Sequence, residues 1–198
     1  MYRFIESIKL EDGQFHRLHL HQARMDRAWR EIFKMKNELN LNTILQNQTF
    51  PKSGLYKCRI VYHKQIESVE FIPYQARSIR CLKVIHDQAI DYSHKFEDRS
   101  RLNTWFEQRQ SCDDILIVKN GLVSDSSFSN IIFFDGDKWV TPDSPLLKGT
   151  RRQFLLEAAE IKEETIPVER IPSFKSFRLI NSMLGFDGPE MEVSNIVL

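Results

Sequence analysis

The length and charge of the chain limit the kinds of protein it can be. Its 198 residues are enough for one or two small domains with a buried core. The 28 basic and 27 acidic residues give a net charge of +1, which argues against a nucleic-acid surface built on bulk positive charge. No apolar leader and no apolar run of membrane-spanning length is present. We therefore expect a cytoplasmic protein that binds neither nucleic acid nor membrane.

The cysteine and histidine patterns predict neither a disulfide framework nor a metal site. The chain has three widely spaced cysteines, Cys58, Cys81 and Cys112. Because no two of them form a C-x-x-C pair, we expect reduced thiols. Three histidines, His16, His19 and His21, lie close together, but no acid or cysteine accompanies them at ligand spacing, so no metal site is predicted.

The first part of the chain predicts a small α+β unit. Apolar alternation and the turn at Asp12-Gly13 predict a β-hairpin, after which the apolar period changes to that of a helix. The predicted elements are strands at Phe4–Leu10 and Phe15–Leu20, a helix from His21 to about Lys36, a short helix near Leu41–Gln46, and strands at Leu55–His63 and Ile66–Tyr74. We place a domain boundary after this unit, which gives domains 1–77 and 78–198.

The second part mixes strand, hairpin and helix signals. Because these signals do not alternate strictly, an α+β fold is favoured over a doubly wound sheet. The predicted strands are Cys81–Ile85, Asp114–Val118, a strand ending at Asp125, Asn130–Phe134, Lys138–Thr141, Thr165–Val168 and Glu190–Val197, and the predicted helices are Ser100–Gln110 and Arg151–Ala159.

The segment from Asn120 to Arg152 organises the chemistry. It contains a strand that ends in the carboxylate of Asp125, an apolar strand, and a Gly149-Thr150 step that opens an amphipathic helix. A helix start offers free N–H groups and the positive end of the helix dipole, which together suit a phosphate. A buried acid and a phosphate site would hold the two ends of a small aromatic cofactor.

Five motifs in this order and spacing resemble the class IV aminotransferases, the fold-type-IV enzymes that use pyridoxal 5′-phosphate (PLP). They resemble most the short members related to aminodeoxychorismate lyase. The motifs are FIESIKLEDG, LHQARM, the segment YSHKFEDRSRLN, VSDSSFSNIIF and LLKGTRRQFLL. The resemblance covers almost the whole chain. It implies a two-domain α+β fold similar to that of D-amino acid aminotransferase, with residues 78–198 as the larger cofactor-binding domain, and it implies a homodimer.

The resemblance also implies roles for particular residues. Lys95 takes the place of the Schiff-base lysine, which also moves protons as the catalytic acid and base. Asp125 takes the place of the acid at the pyridine nitrogen, where the family usually has the longer glutamate. Arg24 takes the place of the arginine that holds the cofactor phosphate. The full set of implied cofactor-binding residues is Arg24, Lys95, Asp125, Asn130, Thr150 and Arg151.

Each of these residues also has an ordinary structural interpretation. Taken alone, Asp125 is typical of a turn and Thr150 of a helix N-cap. Arg59 and Arg77 are candidates for binding a substrate carboxylate, and equally for being ordinary charges on a strand face. Only the combined pattern favours a site.

The resemblance implies an enzyme that acts on a small-molecule amino substrate. The first hypothesis is aminodeoxychorismate lyase, which eliminates pyruvate to give 4-aminobenzoate for folate biosynthesis. The alternative is an aminotransferase for branched-chain or D-amino acids. A third hypothesis is a binding protein that kept the fold and lost the activity. A yellow colour of the purified protein would favour an enzyme, because the lysine-bound cofactor absorbs visible light.

Overall fold

The computed structural model describes residues 2–198, which divide into two compact units. One unit comprises the chain up to Gln75 together with His94–Asp98. The other comprises Ala76–Ser93 and Arg99–Leu198. The division between the units, after Gln75, lies near the boundary predicted at residue 77. The segment with Lys95 belongs to the first unit, whereas the prediction placed it in domain 78–198.

The first unit is built on an antiparallel sheet with the strand order β2-β1-β3-β4. Its strands are β1 (Phe4–Glu11), β2 (Gln14–Phe15), β3 (Leu55–Tyr62) and β4 (Ile66–Pro73). Alternate residues of β1 face the core, where Phe4, Ile8 and Leu10 are fully buried. The predictions of β1, β3 and β4 are confirmed.

The first helix of the first unit begins earlier than predicted, and the second helix lies where it was predicted. Helix α1 (Leu18–Ala28) continues into a π-helical turn at Trp29–Phe33, and α2 (Leu41–Gln46) has the predicted bounds. The predicted strand Phe15–Leu20 was wrong beyond Phe15, because Arg17 turns the chain with a φ of 54° and α1 begins at Leu18. Alternation in FHRLHL imitates a strand, whereas the residues that α1 buries follow a helical period.

The second unit contains a mixed sheet with the order β10-β9-β8-β7-β6-β5-β13, and β11 pairs with β8 and β12. Its strands are β5 (Leu82–His86), β6 (Asp114–Lys119), β7 (Leu122–Ser126), β8 (Asn130–Phe134), β9 (Trp139–Pro142), β10 (Lys162–Glu164), β11 (Ser176–Ile180), β12 (Met191–Glu192) and β13 (Ile196–Val197). Its α-helices are α3 (Ser100–Phe106) and α4 (Thr150–Glu157). Apolar side chains from β6, β8 and β11 form its main core.

Two predictions for the second unit were wrong. The segment Thr165–Val168 is not a regular strand, since β10 ends at Glu164 and a 3-10 helix occupies Val168–Ser173. The tail Glu190–Val197 is not one strand, because a 3-10 turn divides it into β12, which pairs with β11, and β13, which pairs in parallel with β5. In the tail, strands distant in sequence decide the pairing, whereas in the first segment only Pro167 forms an isolated bridge, with Leu122.

The prediction that all cysteines are reduced was also wrong. Cys81 and Cys112 form a disulfide, with their Cα atoms 4.8 Å apart. They precede β5 and β6, which pair in parallel, so the fold brings together residues that are 31 positions apart in sequence. Cys58 is free and buried, and burial raises the pKa of its thiol to about 12.

None of the helices formed by residues 2–198 is long and apolar enough to cross a membrane.

Candidate active site

The hairpin formed by β7 and β8 positions Asp125 in the second unit. Asp125 lies opposite Asn130 in the antiparallel pairing. The turn between them is closed by a hydrogen bond from the Ser126 N–H to the Ser129 carbonyl, 2.9 Å, and the Ser129 N–H donates to Ser126 Oγ at 3.1 Å. These bonds fix the turn, so the carboxylate and the amide occupy defined positions on neighbouring strands.

Asp125 is a buried carboxylate that only neutral groups contact directly. Its Oδ1 accepts a hydrogen bond from Asn130 Nδ2 at 2.7 Å, and its Oδ2 accepts one from the Leu147 N–H at 2.9 Å. No Lys, Arg or His of residues 2–198 lies within ion-pair distance of it. Burial raises the pKa of Asp125 to about 6, although the hydrogen bonds from Leu147 and Asn130 oppose the rise. A cation placed beside this carboxylate would be stabilised.

Asn130 links the acid to the start of helix α4. Its Nδ2 also donates to the Leu147 carbonyl at 2.8 Å. A Cβ atom added to Gly149 would overlap Asn130 Oδ1, far inside van der Waals contact. Glycine is therefore required for this close approach, and Asn130 touches both the carboxylate of Asp125 and the residue that precedes α4.

The start of α4 has the properties of an anion site. Gly149 precedes the helix in an extended conformation without a side-chain cap, and the first turn contains no acidic residue. Thr150 is buried at the first helical position, and Arg151 is half-buried beside it. Arg151 Nε is buried without a hydrogen-bond partner in the described chain. A phosphate here would receive backbone N–H groups and the positive end of the helix dipole.

Arg24 lies in a buried cluster of the first unit with Glu6 and His21. Its Nε donates to Glu6 Oε1 at 2.9 Å and its Nη2 donates to Glu6 Oε2, while His21 Nδ1 lies 2.6 Å from Glu6 Oε2. Burial raises the pKa of Glu6, but the charge of Arg24 and the hydrogen bonds from His21 and Arg24 outweigh burial and lower it to about 2. Burial lowers the pKa of His21, although the hydrogen bond with Glu6 opposes this effect. The phosphate role of Arg24 stays a prediction.

Lys95 is fixed by its backbone to the start of β1. Its carbonyl accepts a hydrogen bond from the Ile5 N–H at 2.9 Å, and Phe96 forms an antiparallel bridge with Phe4. The rings of Phe4 and Phe96 pack with their centroids 5.3 Å apart. The half-buried Lys95 therefore lies beside the strand that carries Glu6, and its catalytic role stays a prediction.

The two candidates for substrate binding have different surroundings. Arg59 donates to Glu97 Oε1 at 2.9 Å and lies 3.8 Å from Glu70 Oε1, so acids of the first unit already engage it. Arg77 is exposed in the second unit, and its guanidinium carbon lies 5.1 Å from the ring centroid of Phe128. A substrate carboxylate would displace existing partners at Arg59 but not at Arg77.

The sequence did not indicate one buried charged residue in each unit, Arg152 in the second and Glu6 in the first. Arg152 is fully buried and donates to the Pro142 carbonyl at 2.8 Å and to Glu163 Oε1 at 2.5 Å, and its charge acts on Asp125 from beyond contact distance. The sequence pattern predicts Glu6 only as part of a strand, whereas in the structure it pairs with Arg24. An acid at a core-facing strand position is a signal for such a buried pair.

Comparisons with known proteins show the family. A model of amino-transferase class IV matches residues 3–187. An uncharacterized protein of Haemophilus influenzae (strain ATCC 51907 / DSM 11121 / KW20 / Rd) is 40% identical over 193 residues, which covers 93% of this chain and 100% of that protein. The chain therefore belongs to the class IV aminotransferases, which are PLP-dependent enzymes, and the resemblance predicted from its motifs is confirmed.

Two crystal structures are similar over nearly the whole chain. One, from Haemophilus somnus 129pt and named "putative 4-amino-4-deoxychorismate lyase", has a TM-score of 0.88 and 36% identity, covering 94% of this chain and 98% of its own. The other, the 4-amino-4-deoxychorismate lyase of Pseudomonas aeruginosa, has a TM-score of 0.72 and 16% identity, covering 96% and 85%. At 16% identity, the similarity to the Pseudomonas aeruginosa structure shows a shared fold and no more. The predicted α+β fold of a fold-type-IV enzyme is confirmed.

Proposed function

We propose that this enzyme is a PLP-dependent 4-amino-4-deoxychorismate lyase that releases pyruvate and forms 4-aminobenzoate, a step of folate biosynthesis. The observation that carries the proposal is the buried carboxylate of Asp125, which neutral donors hold and no side-chain cation of residues 2–198 contacts. Burial raises the pKa of this carboxylate to about 6, so a positive charge placed directly beside it would stabilise the ionised form. A protonated pyridine nitrogen carries such a charge, so the residues fit PLP.

The residues of the candidate site would hold two parts of the cofactor, its pyridine nitrogen and its phosphate. Asp125 would keep a proton on the pyridine nitrogen, and Asn130 would keep the carboxylate turned toward it. The N–H groups at the start of α4, with Thr150 and Arg151, would bind the phosphate. The family resemblance also assigns a phosphate contact to Arg24 of the first unit, whose guanidinium donates to Glu6 in the cofactor-free chain. When bound, PLP supplies an electron sink that stabilises negative charge at the carbon bonded to the substrate nitrogen.

Lys95 would supply the proton transfers of the reaction. A lysine amine can take up a proton from the substrate and later return it when the amine is in its neutral form. Lys95 is half-buried, and its backbone is held beside β1. The amine would take the proton from the substrate carbon next to nitrogen. In a lyase the electron pair left on that carbon expels the enolpyruvyl group from the neighbouring carbon. That group takes up a proton, which the amine can return, and is released as pyruvate, so no second substrate is required.

The choice of lyase over aminotransferase rests on similarity to the Haemophilus somnus protein, at 36% identity over nearly the full length of both chains. The experiment that tests the choice follows pyruvate and 4-aminobenzoate after mixing the PLP-loaded enzyme with 4-amino-4-deoxychorismate in the absence of any oxo acid. We expect many turnovers. If no product forms, while branched-chain or D-amino acids exchange their amino group with 2-oxoglutarate, the enzyme is an aminotransferase.

A further inference from the structure

The turn between β7 and β8 carries an exposed aromatic ring in contact with two guanidinium groups. Phe128 is 46% exposed, which is unusual for a phenylalanine. The guanidinium carbon of Arg99 lies 4.4 Å from its ring centroid and that of Arg77 lies 5.1 Å from it. The ring of Phe106 packs edge-on, with centroids 5.9 Å apart. All four residues belong to the second unit.

The cluster combines one rigid cation with one exposed cation. Arg99 Nη2 donates to the Ser127 carbonyl at 2.6 Å, which ties the guanidinium to the turn that carries Phe128. Arg77 is exposed and contacts the same ring. The turn itself is held by Asn181, whose Nδ2 donates to Ser129 Oγ at 2.9 Å. The ring and the guanidinium of Arg99 are therefore held in fixed relative positions.

Neither guanidinium of the cluster has a carboxylate within 4 Å anywhere in residues 2–198. Other arginines of this chain do have such partners, such as Arg101 with Asp87 at 2.6 Å and Arg178 with Glu190 at 2.7 Å. Two guanidinium groups that share a ring and lack acids form a local excess of positive charge. Such a surface favours an anion, and guanidinium groups bind carboxylates through paired hydrogen bonds.

The cluster lies close to the candidate cofactor site along the same hairpin. Phe128 is the third residue after Asp125, so their Cα atoms are at most about 11 Å apart. We propose that Arg77, Arg99 and Phe128 form the subsite that binds the carboxylate and the ring face of a cyclic substrate. The inference rests on the proposed function and deepens it, since a ring that bears a carboxylate uses all three side chains. An aliphatic amino acid offers no flat face to Phe128.

Binding of 4-aminobenzoate to the PLP-loaded enzyme, measured by titration calorimetry, tests this subsite. We expect Arg77→Ala to weaken binding about tenfold, the loss typical of one charge-assisted contact, and Phe128→Leu to weaken it several-fold. Aniline, which has the ring but no carboxylate, should bind less tightly to the parent and should not respond to Arg77→Ala. The matched control is Arg80→Ala, an exposed arginine of the same segment, which should bind 4-aminobenzoate as the parent does.

The outcomes separate the subsite from the proposed function. The cofactor absorbance of Arg77→Ala should equal that of the parent, and in a lyase its KM should rise while kcat is retained. Weaker 4-aminobenzoate binding by this variant in an enzyme without lyase activity would support the subsite and reject the proposed function. Unchanged binding by Arg77→Ala and Phe128→Leu would overturn the subsite. The subsite would also be overturned if these variants changed only the oligomeric state, measured by size-exclusion chromatography. The patch would then be a contact between subunits.

Discussion

Replacing Asp125 by asparagine tests whether its carboxylate is ionised at an energetic cost in the cofactor-free protein. Its folded pKa of about 6 lies above the ordinary value of 3.8. The folded state therefore holds the proton more tightly than the unfolded state, and the free energy of unfolding falls as the pH rises between these values. The full shift corresponds to about 3 kcal/mol, of which about 2 kcal/mol falls between pH 4.5 and 7.5.

The measurement is urea unfolding of the cofactor-free parent and of Asp125→Asn at half-unit steps from pH 4.5 to 7.5. The asparagine side chain has one acceptor oxygen, so the variant loses the hydrogen bond from either Asn130 or Leu147. This loss does not depend on pH. The difference in unfolding free energy between the two proteins should therefore move by about 2 kcal/mol across the range, in favour of the variant at high pH. Contributions from Glu6 and Asp114 are present in both proteins and cancel.

The control is Asp137→Asn, which removes an exposed carboxylate from the turn between β8 and β9 and should leave the pH profile of the parent unchanged. Parallel profiles for the parent and Asp125→Asn would refute the reasoning. They would mean that burial does not destabilise the carboxylate, and that the carboxylate requires no positively charged ligand beside it.

Three further changes test the rest of the site. Borohydride reduction of the PLP-loaded enzyme followed by peptide mapping should label the peptide with Lys95, and a label on any other lysine would reject its role. Arg24→Ala should raise the PLP dissociation constant by at least tenfold through lost phosphate contacts. PLP affinity equal to that of the parent would contradict this. Gly149→Ala should destabilise the protein by about 1–3 kcal/mol through overlap with Asn130. A double-mutant cycle with Asn130→Ala should show a coupling of about 1 kcal/mol or more, and additive effects would exclude the overlap.

The amino-acid sequence by itself determined the local elements that carry the site. A continuous apolar run bounded by turn residues located β8 at Asn130–Phe134, and the Gly149-Thr150 step located the start of α4. Both signals arise within a few neighbouring residues, because turn and capping preferences depend on local backbone conformation. The five motifs and their order indicated the family and hence the cofactor, because the motifs contain the residue types that PLP chemistry requires.

Only the tertiary structure decided which distant residues meet. The pairing of β5 with β6 brings Cys81 to Cys112, and α1 folds back so that Arg24 binds Glu6. The contact of Arg77 with Phe128 likewise joins residues far apart in the chain. Such contacts, and the raised pKa of Asp125, depend on packing and burial contributed by many segments at once, and no local sequence pattern contains that information.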